Sequence, residues 1–463
     1  MTAPRHVHFI GVGGIHMSGL AHILLADGVR VSGSDLTRSH LTDRLQTLGA
    51  TVSIGHDARA IGDADLVVRT LAVPNDNPEI AAALSAGVET ISRAKMVARI
   101  AADHLTIAVS GSHGKTTTST MVVRAMQTAG LDPTYILGGE SVELELHAAR
   151  GRGNHIVLEA DEYGRAFHEY HPMVAVITNL ERDHLDYYGT DEALFEAFVT
   201  YADTLEPGGR LIIGAESPCA SAVGERIAAQ RGDITIERFG IGKAGAANIE
   251  WIAHTLVDSA DGMDFVLEGP AVPATACRLR VPGEHNVRNA LAAAAAAAAA
   301  GATIEPIVEA LGEFRGVRRR FQTHGESAGV LVMDDYAHHP SEIRATVRAA
   351  RSRYPGRRLV VLFQPHTYSR SKYLLEGFTQ CFSDVDQLYL TDTYAAREAP
   401  EAGLSAVDLA AQIGTPGAIY AGSLTESASR IVAAVQSGDV VITMGAGDVD
   451  QAGPLILRGL ETA

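Results

Sequence analysis

The chain has 463 residues, a formal net charge of −17, 46% hydrophobic and 20% charged residues. This length predicts two or three domains, and the composition is typical of a globular protein. The negative charge argues against a polyanion such as a nucleic acid as partner, whereas a small anionic ligand remains compatible because a pocket sets its own local field.

Cysteine usage and hydropathy favour a cytoplasmic location. Cys219, Cys277 and Cys381 are far apart and lack CxxC spacing, so they indicate neither a disulfide framework nor a zinc site. No secretory signal and no membrane span are expected, because the longest uncharged stretch is alanine-rich and shorter than a bilayer crossing. That stretch predicts a helix that ends near Gly301.

Short β-rich runs alternate with helical patterns along the chain, which predicts an α/β protein with parallel sheets. In the first block, which we place at residues 1–103, four runs are predicted strands: HVHFIG, VRVSGSD, LVVRT and VETISR.

A glycine loop follows the first predicted strand. Gly11, Gly13 and Gly14 lie in GVGGIHMSG, but a dinucleotide fingerprint counted from Gly11 requires glycine where His16 stands. Asp35, which ends VRVSGSD, resembles the acid that binds ribose in such sites. The loop therefore indicates phosphate binding, and it leaves open either a nicotinamide-dependent oxidoreductase or a protein that binds a different diphosphate.

A second glycine loop opens the central block, which we place at residues 104–315. The predicted strand LTIAVS (105–110) leads into this loop, and a helix is predicted from about Thr116 to Ala129. This order presents backbone N–H groups to a phosphate, with Lys115 as a point charge and Thr116 as a hydroxyl for Mg²⁺. The common P-loop needs a glycine where Val109 stands, so this loop is the shorter form G-x-x-G-K-T. Its predicted phosphate-binding residues are Gly111, Ser112, His113, Gly114, Lys115, Thr116 and Thr117.

Carboxylates follow two predicted strands of the central block. HIVLEADE supplies Glu159, Asp161 and Glu162, and VAVITNLERDHLD supplies Asn179, Glu181, Asp183, His184 and Asp186. Oxygen ligands suit Mg²⁺. We predict a metal role for Glu159, with His184 as a further ligand or an orienting group, and solvated loop positions for Glu162 and Glu181.

The segment EFRGVRRRFQTHGE predicts a linker to a third α/β block, which we place at residues 316–463. Its consecutive arginines, Arg318 to Arg320, predict at least one phosphate contact in this acidic chain. Beyond the linker, Tyr336, His338 and His339 crowd the end of a predicted strand, and their spacing does not indicate a metal site.

These motifs together resemble the Mur ligase family, which also includes the folylpolyglutamate synthetases. The resemblance runs essentially end to end and rests on separated motifs: GVGGIHMSGLA, SGSD, DNPE, GSHGKTT, EADE, TNLERDHLD, PGEHNVRNALAA, DDYAHHPSEI and FQPHTYSR. It implies three α/β domains: an N-terminal Rossmann-like domain for a UDP-sugar, a central P-loop-type ATPase domain with a mostly parallel sheet, and a C-terminal Rossmann-like domain that closes on the nucleotide and the amino acid.

The resemblance implies ATP-dependent joining of L-alanine to the lactyl carboxylate of UDP-N-acetylmuramate, through an acyl phosphate and with two Mg²⁺ ions. This is the branch that adds the first amino acid of the peptidoglycan stem peptide. Members that add later amino acids use a carbamylated lysine, and this chain has no lysine between Lys115 and Lys243. The alternative is a family member that attaches a recycled murein peptide to the same UDP-sugar. A monomer or a homodimer is expected, with no nucleic-acid or membrane partner.

The resemblance also implies roles for individual residues. The UDP-sugar site would comprise Gly11, Gly13, Gly14, Ser18, Asp35, His56 and Arg93. The ATP site would add Asn286, Asn289, Arg319 or Arg320, and Asp335 to the second loop. Thr116, Glu159 and His184 would hold metal, and Tyr336, His338, His366 and Arg370 would lie towards the amino acid. Lys115, Glu159, His184, Asp335, His338 and Arg370 would be catalytic. Arg370 would hold the alanine carboxylate, although Thr367 stands where some relatives carry a second basic residue, which leaves the alanine contacts open.

Overall fold

The structure is a computed structural model that describes residues 4–144, 146–246, 248–259, 262–270, 272–396, 398–400 and 403–462. The described strands form three sheets of five, ten and six strands, which follow one another along the chain. Helices connect most of the parallel strands, so the predicted α/β class with three successive sheets is confirmed.

The first sheet carries the first glycine loop. Its elements are β1 (His6–Ile10), α1 (Ile15–Ala26), β2 (Arg30–Asp35), α2 (His40–Thr47), β3 (Thr51–Ile54), the 3₁₀ turn Ala58–Ile61, β4 (Leu66–Arg69), α3 (Pro78–Ser85), β5 (Glu89–Ser92) and α4 (Arg93–Ala101). The strand order is β3-β2-β1-β4-β5 and every pair is parallel. The strand order reverses at β1, and such a switch point leaves a crevice beyond the carboxyl end of the strand.

The central sheet carries the second glycine loop. Its elements are β6 (Leu105–Ser110), α5 (Lys115–Thr128), β7 (Thr134–Ile136), β8 (Ala148–Ala149), β9 (His155–Glu159), the 3₁₀ turns Tyr163–Glu169, β10 (Val174–Ile177), α6 (Leu185–Tyr188), α7 (Asp191–Asp203), β11 (Arg210–Gly214), α8 (Pro218–Gln230), β12 (Thr235–Ile241), β13 (Trp251–Ser259), β14 (Gly262–Gly269), β15 (Val272–Leu279), α9 (Glu284–Ala299) and α10 (Ile304–Glu313).

Parallel strands form the middle of this sheet, with β6 between β9 and β10. At one edge, β13, β14 and β15 form antiparallel hairpins, so the sheet is mostly parallel, as predicted. The strand predicted over 105–110 and the helix predicted after it are confirmed. The alanine-rich helix is α9, and Gly301 follows it with φ +98°, the left-handed conformation that ends helices.

The third sheet begins inside the segment predicted as a linker. Its elements are β16 (Gln322–Ser327), β17 (Val330–Asp335), α11 (Pro340–Arg353), β18 (Leu359–Phe363), α12 (Tyr368–Tyr373), α13 (Leu375–Gln380), β19 (Gln387–Thr391), α14 (Ala406–Gln412), β20 (Ala418–Gly422), α15 (Leu424–Ala434), β21 (Val440–Met444), the 3₁₀ turn Val449–Gln451 and α16 (Ala452–Thr462). β16 pairs antiparallel with β17 at the sheet edge. The linker prediction was therefore wrong over 322–326, because an edge strand tolerates a polar sequence.

Apolar packing joins the first two sheets more closely than it joins either to the third. One buried cluster contains Phe9 and Leu20 of the first block together with Ile136 and Phe198 of the central block. The clusters of the third block contain residues of that block alone. The contacts with the third block that are described below, around the second glycine loop, are polar. None of the described helices is both long and apolar enough to cross a membrane.

Candidate active site

The first glycine loop forms one wall of a cavity of about 760 Å³ at the carboxyl end of β1. The Asp35 carboxylate accepts a hydrogen bond from the Gly13 N–H at 2.8 Å, which ties the end of β2 to the loop. Six residues that the resemblance assigns to the UDP-sugar line this cavity: Gly11, Gly13, Gly14, Asp35, His56 and Arg93.

A buried polar network holds His56 at the cavity wall. Its Nδ1 lies 3.1 Å from Glu79 Oε1 and 3.0 Å from Ser34 Oγ. Burial raises the pKa of Glu79, but hydrogen bonds from His8, Ser34 and His56 outweigh that effect and keep it below its ordinary value. Glu79 is therefore an ionised acceptor that fixes the orientation of the His56 ring.

Ser18 does not join this cavity wall. Its hydroxyl donates to the Ile15 carbonyl oxygen at 3.0 Å and lies 3.0 Å from Nε2 of His147, in the central block. The side chain leaves α1 on the face that packs against the central block, so the structure does not bring Ser18 together with the other residues assigned to the UDP-sugar.

The second glycine loop positions Lys115 at the first turn of α5. The ammonium donates to the Gly111 carbonyl oxygen at 2.7 Å and to Glu162 Oε1 at 2.9 Å. Burial lowers the pKa of Lys115, and the carboxylates of Glu162, Asp161 and Glu159 outweigh that effect, so the pKa lies above its ordinary value and the lysine is charged.

Glu162 and Glu181 differ from the sequence prediction. The Glu162 side chain is 2% exposed and pairs with Lys115, because a buried ammonium needs a carboxylate partner. The half-exposed Glu181 carboxylate lies 3.2 Å from His113 Nε2 and accepts a hydrogen bond from Ser341 at 2.6 Å. The prediction of a solvated loop position was therefore wrong for Glu162, whereas Glu181 is a partly exposed loop residue that also belongs to a polar cluster.

Thr116 and Glu159 form a pair of oxygen donors beside the loop. The Thr116 hydroxyl donates to Glu159 Oε2 at 2.8 Å, and the Gly138 N–H donates to the same oxygen at 2.8 Å. Burial raises the pKa of Glu159 and outweighs the lowering effect of Lys115, so this pKa lies above its ordinary value. A buried hydroxyl and carboxylate at the end of a P-loop fit the hard oxygen coordination of Mg²⁺.

His184, the third predicted metal ligand, faces other carboxylates. Its Nε2 lies 3.4 Å from Glu162 Oε1 and 3.8 Å from Asp183 Oδ2. Burial lowers the pKa of His184, but Asp183 and Glu162 outweigh burial and raise it above its ordinary value. The structure thus places His184 against Glu162, and Glu162 against Lys115.

A second cavity of about 400 Å³ lies between the central and third blocks. Its lining includes these predicted nucleotide-binding residues: His113, Gly114, Thr117, Asn286, Asn289, Arg320 and Asp335. Arg320 lines the cavity and donates to Glu342 Oε1 at 3.1 Å. Arg319 instead donates to Asp334 and to the Gly445 carbonyl oxygen at 3.2 and 2.7 Å, so of the two arginines only Arg320 lines the cavity.

Asp335 is a buried carboxyl at the end of β17. It accepts hydrogen bonds from the N–H groups of Phe321 and Ala337, each at 2.8 Å. Burial nevertheless raises its pKa to about 6, against the lowering effect of Arg320.

A third cavity of about 330 Å³ includes His184, Asp183, His366 and Arg370 in its lining. Arg370 donates from Nη2 and Nε to Asp183 Oδ1 at 2.9 and 3.1 Å, and from Nη1 to the His366 carbonyl oxygen at 2.7 Å. The resemblance assigned the alanine carboxylate to Arg370, and sequence reasoning missed that the guanidinium also pairs with Asp183. The motif TNLERDHLD contained Asp183, but no local pattern could pair it with a residue 187 positions away.

Two other residues predicted near the amino acid, Tyr336 and His338, are not among the residues that line this cavity. Tyr336 packs against the Arg320 guanidinium, 5.3 Å from the ring centroid, and its ring is 5.4 Å from that of His338. The His338 ring is 6.0 Å from that of His366, and burial lowers its pKa to about 3. The Thr367 hydroxyl donates to Glu398 Oε1 at 2.7 Å.

Asp161 connects the first cavity to the second loop, a role that sequence reasoning did not assign. Arg93 donates to Asp161 Oδ2 at 3.0 Å, and both residues line the first cavity. The positive charges of Arg93 and Lys115 lower the pKa of Asp161 below its ordinary value, although burial acts in the opposite direction. Its place in EADE, between Glu159 and Glu162, was the available signal.

Three segments of the chain match domain families. Residues 6–105 match "Mur ligase family, catalytic domain", residues 109–297 match "Mur ligase middle domain", and residues 319–447 match "Mur ligase, glutamate ligase domain".

Full-length relatives and solved structures agree with these matches. The chain is 40% identical to the UDP-N-acetylmuramate–L-alanine ligase of Mycolicibacterium vanbaalenii, over 100% of this chain and 99% of that one. It is 41% identical to the Mycobacterium marinum protein of the same name, over 98% and 95% of the two chains. The crystal structure of UDP-N-acetylmuramate-alanine ligase from Thermotoga maritima superposes with TM-score 0.82 at 29% identity, covering 99% of both chains. A murein peptide ligase from Psychrobacter arcticus gives 0.75 at 25% identity, also over 99% of both.

Proposed function

Because the chain belongs to the Mur ligase family, we propose that its two glycine loops serve the two nucleotide-bearing substrates of one ligation reaction. The protein is an ATP-dependent ligase that joins L-alanine to UDP-N-acetylmuramate, a step of peptidoglycan precursor synthesis. The observation that carries this conclusion is about 40% identity to ligases of that name across the whole chain.

The placement of charged groups supports the assignment of the two loops. The first cavity and the second loop meet at Asp161, which pairs with Arg93 on one side and interacts with Lys115 on the other. We assign the first cavity to the UDP-sugar, because a glycine loop before a helix presents N–H groups to its diphosphate. We assign the second cavity, with Asn286, Asn289 and Arg320, to ATP.

The proposed reaction places the substrate carboxylate at the junction of the cavities. A carboxylate oxygen attacks the γ-phosphorus, the bond to the β–γ bridging oxygen breaks, and ADP leaves. The neutral amine of L-alanine then attacks the acyl carbon, loses a proton and expels inorganic phosphate, which forms the amide. Lys115 neutralises phosphate charge, and the closely packed third block excludes water from the acyl phosphate.

Thr116 and Glu159 are the residues that we assign to Mg²⁺, with His184 as a further ligand. When bound, Mg²⁺ supplies charge neutralisation on the phosphate oxygens. The hydroxyl–carboxylate pair and its burial beside Lys115 support the assignment of one ion. A second ion at His184 remains a proposal that rests on the family.

We assign L-alanine to the third cavity. The buried pair formed by Arg370 and Asp183 matches the two charges of a free amino acid: the guanidinium can receive the carboxylate, and Asp183 can receive the ammonium. Burial raises the pKa of Asp183, but Arg370 and three histidines outweigh it and hold that pKa well below its ordinary value, so Asp183 is an acceptor of hydrogen bonds and not a base.

Substrate choice tests the proposed function. Purified protein receives ATP, Mg²⁺ and UDP-N-acetylmuramate with either L-alanine or the murein tripeptide, and phosphate release and product mass are measured. We expect L-alanine to stimulate release and to add one alanyl unit. Release that depends only on the tripeptide would assign the chain to the recycling ligases instead. The domain boundaries at 103/104 and 315/316, a cytoplasmic location, and a monomeric or homodimeric state stay predictions.

A further inference from the structure

Three potential metal ligands converge where the central and third blocks meet. Among the residues that the structure describes, His113, Glu181 and His339 each contribute one ligand atom, and the three atoms lie within 4.8 Å of one another. We call these residues the interdomain cluster. His113 lies in the second glycine loop and Glu181 follows β10, whereas His339 precedes α11 of the third block. The cluster is separate from the Thr116 and Glu159 pair.

The three ligand atoms are directed at a single point, which the hydroxyl of Ser341 occupies. Ser341 Oγ lies 2.6 Å from Glu181 Oε2, 2.7 Å from His339 Nδ1 and 3.0 Å from His113 Nε2. Glu181 Oε2 is itself 3.2 Å from His113 Nε2 and 3.5 Å from His339 Nδ1. Ligand atoms about 2.0–2.1 Å from a tetrahedral Zn²⁺ ion are about 3.3 Å apart, so these two separations already match.

The hydrogen bonds of His339 define which of its ring nitrogens faces the cluster. His339 Nε2 lies 3.2 Å from the Arg182 carbonyl oxygen, which only accepts, so Nε2 carries the ring proton. Nδ1 accepts a hydrogen bond from the Ser341 backbone N–H at 3.3 Å, so it presents a lone pair to the cluster. The Ser341 hydroxyl lies within hydrogen-bond distance of all three ligand atoms and is the group that a bound ion would displace.

The outer contacts of both histidines follow the pattern of metal sites. Histidine ligands usually direct their second ring nitrogen to a carbonyl or a carboxylate, which fixes the tautomer. His339 has the Arg182 carbonyl oxygen in that position. His113 has Glu342, with Nδ1 3.4 Å from Oε1. The side chains of His113 and His339 are 13% and 8% exposed, which shields the site while Glu181 keeps it open on one side.

We propose that the interdomain cluster binds one divalent cation of the Zn²⁺ class, with His113, Glu181 and His339 as ligands and water in the fourth position. Two imidazoles and one carboxylate are a known ligand set for Zn²⁺, whereas Mg²⁺ prefers oxygen ligands alone. Binding displaces the proton of His113 Nε2 and shifts the Ser341 hydroxyl. The bound ion links the phosphate loop to the start of α11 and so holds the third block against the nucleotide cavity.

The test measures Zn²⁺ binding to the full chain in the absence of both substrates, so that its outcome does not depend on the proposed function. A large excess of Mg²⁺ is present to fill the oxygen site. We expect one tight Zn²⁺ per chain by competition with a chromophoric chelator, and the visible spectrum of tetrahedral Co²⁺ when Co²⁺ replaces Zn²⁺. Absence of tight binding overturns the proposal.

Two variants locate the ion. His339→Asn retains a side chain that can cap α11 but removes the imidazole, and Glu181→Gln removes the charge at the second ligand. Each should weaken Zn²⁺ binding about 100-fold or more. His254→Asn is the matched control, because His254 Nε2 pairs with Glu268 alone at 3.0 Å, and it should bind Zn²⁺ like the parent protein.

A further variant separates the two metal positions. His184→Asn alters the predicted Mg²⁺ site and should leave Zn²⁺ affinity unchanged. If His184→Asn abolishes Zn²⁺ binding while His339→Asn and Glu181→Gln retain it, the ion lies at the other site and the proposal is wrong. Thermal unfolding without Zn²⁺ shows which variants fold. Because the two ligand variants change different residues, one of them that folds is enough to test the proposed site.

Discussion

Lys115 and Glu162 form a buried ion pair, with Lys115 Nζ 2.9 Å from Glu162 Oε1 and the side chains 16% and 2% exposed. The pair holds the ammonium beside the Gly111 carbonyl oxygen in the absence of nucleotide. A triphosphate carries more negative charge than one carboxylate, so it competes effectively for the lysine. We therefore propose that Glu162 keeps Lys115 in position until the phosphates of ATP bind.

Lys115→Ala should lower phosphate release by at least about 100-fold, because it removes the charge that stabilises the transferring phosphoryl group. Binding of UDP-N-acetylmuramate, measured by calorimetry, should stay largely intact, since that substrate is assigned to the first cavity. Lys243→Ala, at an exposed position, is the control and should retain full activity. Wild-type activity in Lys115→Ala would refute the nucleotide assignment.

The same substitution should also lower stability. It leaves Glu162 buried without its lysine, and removal of one partner from a buried ion pair costs about 3–5 kcal/mol. His184 still faces Glu162 Oε1 at 3.4 Å and reduces this loss. Thermal unfolding of the variant should occur below that of the parent protein, and an unchanged melting temperature would contradict the importance of the pair.

Glu159→Gln should raise the Mg²⁺ concentration needed for half-maximal activity at least about tenfold, since a neutral amide is a poorer ligand for a hard cation. The amide oxygen can still accept from Thr116 and Gly138, so the fold should persist. Magnesium titration of phosphate release gives the midpoint. Glu225→Gln, on the exposed face of α8, is the matched control. An identical midpoint in both variants would rule out Glu159 as a ligand.

Local patterns predicted the elements that carry the chemistry. The strand LTIAVS, the glycine loop and the helix after it are consecutive in the chain, so their order alone predicted β6, the phosphate loop and α5. The same reasoning placed Asp35 at the end of β2, and Tyr336 and His338 after the end of β17. Parallel strands bring such carboxyl-terminal residues to one edge of each sheet.

Partners across the fold could not be predicted from local patterns. Glu162 looked like a solvated loop residue because its burial depends on Lys115, 47 positions earlier. Arg319 and Arg320 are adjacent in sequence, yet only their backbone geometry turns one towards Asp334 and the other into the nucleotide cavity. The pairing of Arg370 with Asp183 likewise arises from the approach of the third block to the central block.

Asp335→Asn should change how stability depends on pH. Burial raises the pKa of Asp335 from 3.8 to about 6, so between these values the folded chain binds more protons than the unfolded chain. Stability of the parent protein therefore falls as pH rises through this range, by up to about 3 kcal/mol, and levels off above it. The variant lacks this contribution.

Melting temperatures of the Asp335→Asn variant and the parent protein on both sides of pH 6 check this prediction. Relative to the variant, the parent should lose stability as the pH rises. Asp384→Asn, at an exposed position of the same block, should show no such pH-dependent difference. If the difference in melting temperature between parent and Asp335→Asn does not change with pH, burial does not raise the pKa of Asp335 and the prediction is wrong.

Arg370→Lys should raise the KM for L-alanine about tenfold or more while the KM for ATP changes little. Lysine keeps the positive charge but lacks the planar donors that contact Asp183 and the His366 carbonyl oxygen together. Steady-state kinetics with each substrate varied in turn separate the two constants. Arg226→Lys, a half-exposed arginine of α8, is the control. A rise in the KM for ATP alone would instead place Arg370 at the nucleotide.

Gly13→Ala should weaken UDP-N-acetylmuramate binding about tenfold, which corresponds to about 1.4 kcal/mol. A methyl group on Gly13 would lie 2.8 Å from Asp35 Oδ2, the atom that accepts from the Gly13 N–H, so Asp35 must move and the loop loses its tie to β2. Calorimetric titration with the UDP-sugar measures the loss, and ATP binding should be unchanged. Gly232→Ala, where nothing lies within 4 Å of the added methyl group, is the matched control. Equal affinities in the two variants would show that contact between Asp35 and the loop does not shape the site.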